Sequence, residues 1–166
     1  VLTDESLDHL ASRAALGALE NAGLLASEID LILCSTVQGE WITPGLGCIV
    51  QRDLGATCPA VDINGACAGF VYALDMADAY LKAGKAARIL IVCAEAMSRL
   101  VDWTRREMCV LFGDGAGAVV VDGGEGLLAT RLTTRGDSSL LHMRAPTGNS
   151  PYEAPRAGRE FMDMAG

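Results

Sequence analysis

Apolar residues recur at Leu7, Leu10, Ala11, Ala14, Ala18, Leu19 and Ala22, the spacing of one helical face, with Thr3 available as N-cap, Asp4 and Glu5 in the first turn and Gly23 as a stop. Residues 29–37 form an apolar run that reads as a strand buried on both faces. Thr43-Pro44 offers a cap followed by proline at a first helical position, opening a helix that ends near Gly55. The order continues as strand 59–63, helix 67–83 and strand 88–94, so strands alternate with helices and predict a mostly parallel sheet covered on both sides. Residues 96–108 are irregular. Beyond them, 116–121 and 127–134 read as two strands joined by the turn 122–126, an antiparallel hairpin, and 136–158 as a long surface loop rich in Pro, Gly, Ser and Asn. The predicted class is a layered α/β fold with a mixed, mostly parallel sheet, over a domain at 1–135 and a loop and connecting segment at 136–166.

Within that pattern, Asp62-Ile-Asn-Gly-Ala-Cys67-Ala-Gly-Phe70 places one cysteine where a strand runs into a helix. The apolar positions Phe70, Val71, Leu74, Ala77 and Leu81 follow at helical spacing and Gly84 closes them. A helix start presents unpaired N–H groups and a positive dipole end that stabilise negative charge on sulfur, in the manner of a nucleophile elbow. The other five cysteines, at 34, 48, 58, 93 and 109, lack that context and read as buried thiols. None of the six is paired at C-x-x-C spacing, which predicts neither a metal site nor a redox motif.

The 166 residues, 51% hydrophobic, are enough for one domain with a core, and aromatics at only 5% suit closely packed helix-on-sheet layers. A net charge of −8 argues against nucleic acid as a partner. No apolar span is long enough to cross a membrane and no signal peptide is seen, so a cytoplasmic location is expected. Lys82, Lys85 and Arg88 cluster after the helix that follows Cys67, where a solvated cap is commoner than a docking site. Phe112-Gly-Asp-Gly-Ala-Gly-Ala118 resembles a phosphate loop, but a strand rather than a helix follows it. The expected role is backbone permissiveness, with Asp114 accepting from neighbouring N–H groups. His9 reads as a surface helix residue; His142 is a possible base for Cys67, although no spacing links the two.

The stretch from Asp62 to Leu74, Val101-Asp-Trp-Thr104, and Val110-Leu-Phe-Gly-Asp-Gly-Ala-Gly-Ala118 together resemble beta-ketoacyl-[acyl-carrier-protein] synthase III of the thiolase superfamily, specifically its N-terminal half. The resemblance implies a thiolase-like fold and a cysteine-dependent acyl transfer from acyl-CoA, followed by decarboxylative Claisen condensation with malonyl-acyl carrier protein. No metal and no cofactor beyond the acyl-CoA substrate are implied, and a homodimer is, through pairing of strand 59–63 with its symmetry mate. Position by position, Cys67 matches the family nucleophile, Arg106 the CoA-contacting arginine, and Met97 and Phe112 the acyl-pocket lining. Ile42 matches the residue that reaches into the partner subunit's pocket, and Met164 and Gly166 match the substrate-channel segment.

Where the family usually reads Trp-Thr-Asp-Arg, this chain has Trp103-Thr-Arg-Arg106, so either Arg105 or Arg106 faces CoA. The family's catalytic His and Asn belong to its second half, and a first, central strand would lie before Val1; its loss is expected to leave unpaired backbone groups in the sheet. Two other readings stay open: a ketosynthase or acyltransferase of specialised quinolone or polyketide metabolism, and a non-catalytic acyl-CoA or carrier-binding module.

Overall fold

The computed structural model describes residues 1–144 and 161–164. It divides into two units, Val1–Ala96 with Asp114–Thr133, and Met97–Gly113 with the segment from Thr134 onward.

The first unit carries the sheet. Helix α1 (Leu7–Ala22) starts three residues later than the pattern predicts: Ser6, not Thr3, is the N-cap, its hydroxyl accepting from the His9 N–H at 3.2 Å. It ends as expected at Gly23, whose φ of 66° admits the left-handed turn. Strand β1 (Leu31–Ser35) is buried throughout. Helix α2 (Leu46–Leu54) begins after Gly45, not at Pro44; the Thr43–Pro44 peptide is cis and belongs to the loop before it. Strand β2 (Ala60–Ile63), helix α3 (Gly69–Lys82) and strand β3 (Arg88–Ala96) follow.

The strand order is β2-β1-β3-β4, with β4 spanning Asp114–Asp122; β1 runs parallel to β2 and β3, while β3 and β4 are antiparallel. Two expectations are corrected here. The antiparallel partner of β4 is β3, over nine paired positions, and 127–134 is not strand, so no hairpin joins them. Nor do the described residues leave a gap at the centre: β1 and β3 pair directly from Leu31↔Ile89 to Ser35↔Cys93, so their facing backbone groups satisfy one another.

Alternation along the central strands distributes the core to two faces. Ile32, Cys34, Leu90, Val92 and Ala94 join Leu7, Ala11, Ala15 and Val50 of α1 and α2. Leu31, Leu33, Ile89 and Ile91 join Ala73 and Ala77 of α3 on the other face. Small helix residues let α1 and α3 approach the sheet closely, as the low aromatic content implies. Asp30 ties the strand starts together by accepting from the Ala87 and Arg88 N–H groups at 2.7 and 3.0 Å, which holds its carboxyl below the usual range.

In the second unit, Met97–Arg99 forms a 3-10 turn and helix α4 (Arg106–Cys109) buries Met108. Strands β5 (Leu141–His142) and β6 (Asp163–Met164) pair antiparallel, inside what the sequence reads as loop and connecting segment. The Met162 N–H donates to the Leu100 carbonyl at 2.8 Å, and the Trp103 indole to the Ser98 carbonyl at 2.9 Å.

Leu90 is fully buried between β3 and α1, so Leu90→Ala is expected to cost about 2–5 kcal/mol, read as a lowered urea midpoint with unchanged slope. A loss under about 1 kcal/mol is incompatible with this packing.

Candidate active site

Cys67 lies in a 3-10 turn, Ala66–Ala68, between β2 and α3. The helix proper starts two residues later than predicted, at Gly69, so Cys67 sits in the tighter turn that feeds it. Ala66 has φ 46°, in the left-handed region, which costs an alanine about 1–2 kcal/mol and turns the chain sharply just before the sulfur. Cys67 is exposed, and the α3 N-terminus beside it has no side-chain cap. The Ala68 N–H is taken by the Gly65 carbonyl at 3.1 Å and the Gly69 N–H by the Ala66 carbonyl, so an exposed thiol at a turn that feeds a helix start is what remains to attack a carbonyl whose oxygen then becomes negative.

Two contacts set the position of this turn. A Cβ on Gly69 would stand 1.8 Å from the Ser35 hydroxyl oxygen, so only glycine lets α3 start against the end of β1. The small residue at this position therefore serves packing within the protein, whereas Ala66 and Ala68 are the exposed ones. On the other side, Asp62 at the end of β2 accepts from the Leu46 N–H at 2.7 Å and the Gly47 N–H at 2.6 Å. Its carboxylate caps α2 from another element, because Gly45 at the N-cap has no side chain; a Cβ there would meet Asp62 Oδ2 at 2.7 Å.

A polar strap crosses the strand ends nearby. Glu95 Oε1 accepts from the Val37 N–H at 2.8 Å and Oε2 from the Thr36 hydroxyl at 3.5 Å, while the Val37 carbonyl accepts from the Asn64 side-chain amide at 3.4 Å. Burial pushes the Glu95 carboxyl above the ordinary value, and the Val37 and Thr36 donors pull it partly back. Neither Ser35 nor Glu95 figures among the sequence candidates. A lone acid closing the apolar run Arg88–Ala96 is the signal that points to Glu95; nothing local points to Ser35.

Of the other thiols, Cys34 and Cys58 are buried, and burial pushes both up; Cys93, half-buried, is raised by burial and then by Glu95. Cys48 departs from the expected pattern. It is exposed, because it falls on the outer side of α2 between the buried Gly47 and Ile49.

Ile42 also belongs to the first unit and is 92% exposed. Its loop is held to α1 by Glu40, which accepts from the Leu7 N–H at 2.7 Å, and by the Trp41 indole, which donates to Asp8 at 3.2 Å. The remaining candidates are in the second unit: Met97 opens the 3-10 turn, Arg106 opens α4, Phe112 follows α4 and Met164 lies in β6, whereas Gly166 falls outside the described residues. Arg105 bonds Glu107 at 2.9 Å and also Asp163, which pushes its guanidinium up, first through Asp163; Arg106 is the exposed member of the pair. His142 lies in β5 of that unit and is exposed.

Asp114 accepts from the Leu2 N–H at 2.6 Å, fastening the N-terminal segment to β4. The cationic cluster is internally paired: Lys82 with Asp78 at 2.7 Å, Arg88 with Glu28 at 2.9 Å, and Lys85 over the Tyr80 ring at 5.8 Å. Among the described residues, no group of three or more metal-ligating side chains is brought together, and no helix is long and apolar enough to cross a membrane.

Residues 61–136 match the family model for 3-oxoacyl-[acyl-carrier-protein (ACP)] synthase III. Beta-ketoacyl-[acyl-carrier-protein] synthase III of Xanthomonas euvesicatoria is 46% identical over 144 residues, 85% of this chain and 44% of that relative. The crystal structure of the 3-oxoacyl-(acyl carrier protein) synthase III of Pseudomonas aeruginosa superposes with a TM-score of 0.85 at 32% identity, over 97% of this chain and 50% of that one. The priming beta-ketosynthase of the R1128 polyketide pathway superposes with a TM-score of 0.79, also at 32% identity, over 99% of this chain and 50% of that one. The chain thus spans about half the length of the relatives it matches.

Gly69→Ala is expected to destabilise by about 1–3 kcal/mol through the collision with Ser35, and Ser35→Gly in the same chain to recover part of that loss; independent, additive losses in denaturant melts would contradict the contact. The raised Glu95 carboxyl gives a second expectation. Its folded form holds a proton more tightly than the unfolded chain, so its contribution favours folding below the ordinary carboxylate range and is lost as pH rises through the raised value. Glu95→Gln, neutral at every pH, should therefore gain in melting temperature relative to the parent from acid to neutral pH; parallel profiles would rule this out.

Proposed function

The chain belongs to the 3-oxoacyl-[acyl-carrier-protein] synthase III family, spanning about half the length of its members, and on that basis we propose that it carries the acyl-accepting half of a condensing enzyme. The observation that carries the reading is Cys67, exposed in a strained turn between a strand and an uncapped helix start. Its sulfur attacks the thioester carbonyl of an acyl-CoA; the CoA thiolate leaves and an acyl thioester remains on Cys67. The Cys67 backbone N–H stabilises the oxyanion formed on the way. Malonyl on acyl carrier protein then loses CO2, and its carbanion attacks the Cys67 thioester, releasing the sulfur and leaving a 3-oxoacyl carrier product. The His and Asn that assist decarboxylation in the family belong to the half of the relatives this chain does not span. The acyl-CoA supplies the activated carbon, so neither a cofactor nor a metal enters the scheme.

Arg106 is the residue proposed to meet CoA, since Arg105 is engaged by Asp163 and Glu107. Met97 and Phe112 are proposed for the acyl pocket, Ile42 for the partner subunit's pocket, and Met164 and Gly166 for the channel. A homodimer is supported by β2, which is an edge strand carrying the exposed Val61 and followed by the exposed Phe70 and Val71. Six free thiols fit a reducing, cytoplasmic setting. A second reading, a priming enzyme of specialised metabolism, is favoured by the likeness to the R1128 ketosynthase and uses the same sulfur.

Intact-mass measurement after mixing with acetyl-CoA should show one acetyl group that survives in Cys48→Ser and disappears in Cys67→Ser. An adduct on Cys48, or none under conditions that leave the fold intact, would overturn the assignment. A profile of acyl-CoA thioesters separates the two readings: preference for acetyl-CoA marks fatty-acid priming, preference for longer or branched acyl groups the specialised enzyme.

A further inference from the structure

Glu95 takes no part in the acyl transfer just described, yet it stands one residue before the end of β3 as a half-buried carboxyl after an apolar run. An aliphatic residue there would avoid the desolvation that Glu95 incurs. What the carboxyl provides is a pair of acceptor oxygens for the two residues that follow β1, the Val37 N–H at 2.8 Å and the Thr36 hydroxyl at 3.5 Å. Those residues face the cysteine turn with their other groups: the Thr36 N–H donates to the Ile63 carbonyl at 3.3 Å, and the Val37 carbonyl accepts from the Asn64 amide at 3.4 Å. Asn64 is three residues before Cys67, and between them lies Ala66 with φ 46°, a conformation that persists only where its surroundings hold it.

We infer that Glu95 is a positioning residue for Cys67, holding the 36–37 segment so that this segment, through Ile63 and Asn64, keeps the strained turn in its reactive geometry. This rests on the reading of Cys67 as the nucleophile. The acceptor oxygen, not the negative charge, does the holding, so glutamine can replace glutamate and alanine cannot.

The test is the rate at which iodoacetamide alkylates Cys67, followed by peptide mass with the exposed Cys48 as internal reference. Glu95→Ala should slow Cys67 about tenfold with Cys48 unchanged, and Glu95→Gln should stay within about twofold of the parent. Asn64→Ala should slow Cys67 as much, and the double variant should be no slower than the slower single, because both act through one residue, Val37. Parent-like labelling in Glu95→Ala, equal losses in Glu95→Gln and Glu95→Ala, or losses that multiply in the double variant overturn the inference. If Glu95→Ala does not fold, Asn64→Ala, on an exposed residue, decides: a slowed Cys67 at unchanged melting temperature supports the strap, and an unslowed one sinks it. A parent in which Cys67 labels no faster than Cys48 refutes the nucleophile reading instead, a result independent of the differences among variants.

Discussion

The Asp62 carboxylate on the N-terminus of α2 is the constraint from which the rest of the site follows. Two short hydrogen bonds to the Leu46 and Gly47 N–H groups join the last turn of strand β2 to a helix in another layer. Without them β2, an edge strand paired on one side to β1, would be held only by its ladder and by Ala60 and Ile63 packing inward. With them the strand end is fixed in two directions, and the five residues to Cys67 have little freedom left. Ser35 against Gly69 closes the third direction by setting where α3 can begin. The strain at Ala66 is the consequence: the chain must turn within a few residues between two anchored ends.

This arrangement also underlies the proposal of Cys67, one cysteine of six, as the nucleophile. Four are withdrawn into the layers or partly covered, and burial makes the ionised form of Cys34, Cys58 and Cys93 costly. Cys48 is exposed like Cys67, but it sits within α2, where the Leu46 and Gly47 N–H groups are taken by the Asp62 carboxylate. Exposure alone therefore does not distinguish a nucleophile; the uncapped helix start and the sharp turn do. The acidic surface tells a similar story of local pairing over net charge. Lys82, Arg88 and Arg105 all meet carboxylates, so a chain with thirteen basic side chains offers fewer open cations than its composition suggests.

Much of this architecture was legible in the chain because it is local. The periodicity of α1, the apolar runs of β1 and β3 and the small residues around Cys67 each report on neighbours within a few positions, and helix and strand periods differ enough to separate them. Errors cluster where partners are remote. The start of α1 moved because Ser6 caps better in context than Thr3, and α2 begins at Leu46 because its cap comes from Asp62, sixteen residues away. Residues 127–134 carry a strand-like pattern but form no strand, and the antiparallel partner of β4 is β3, an earlier strand in the chain, over nine paired positions.

The sequence by itself determined the alternation of strands and helices, the two-faced core and the position of one cysteine at a strand-to-helix junction, since all of these are written in side-chain size and spacing. Only the tertiary structure decided that β1 and β3 pair directly, that Asp62 caps α2, that Ser35 admits nothing larger than Gly69, and that Glu95 reaches the peptide beside the cysteine turn. Each of these joins residues at least fifteen positions apart, and no local period encodes which polar atom will stand opposite which when three layers close on one another.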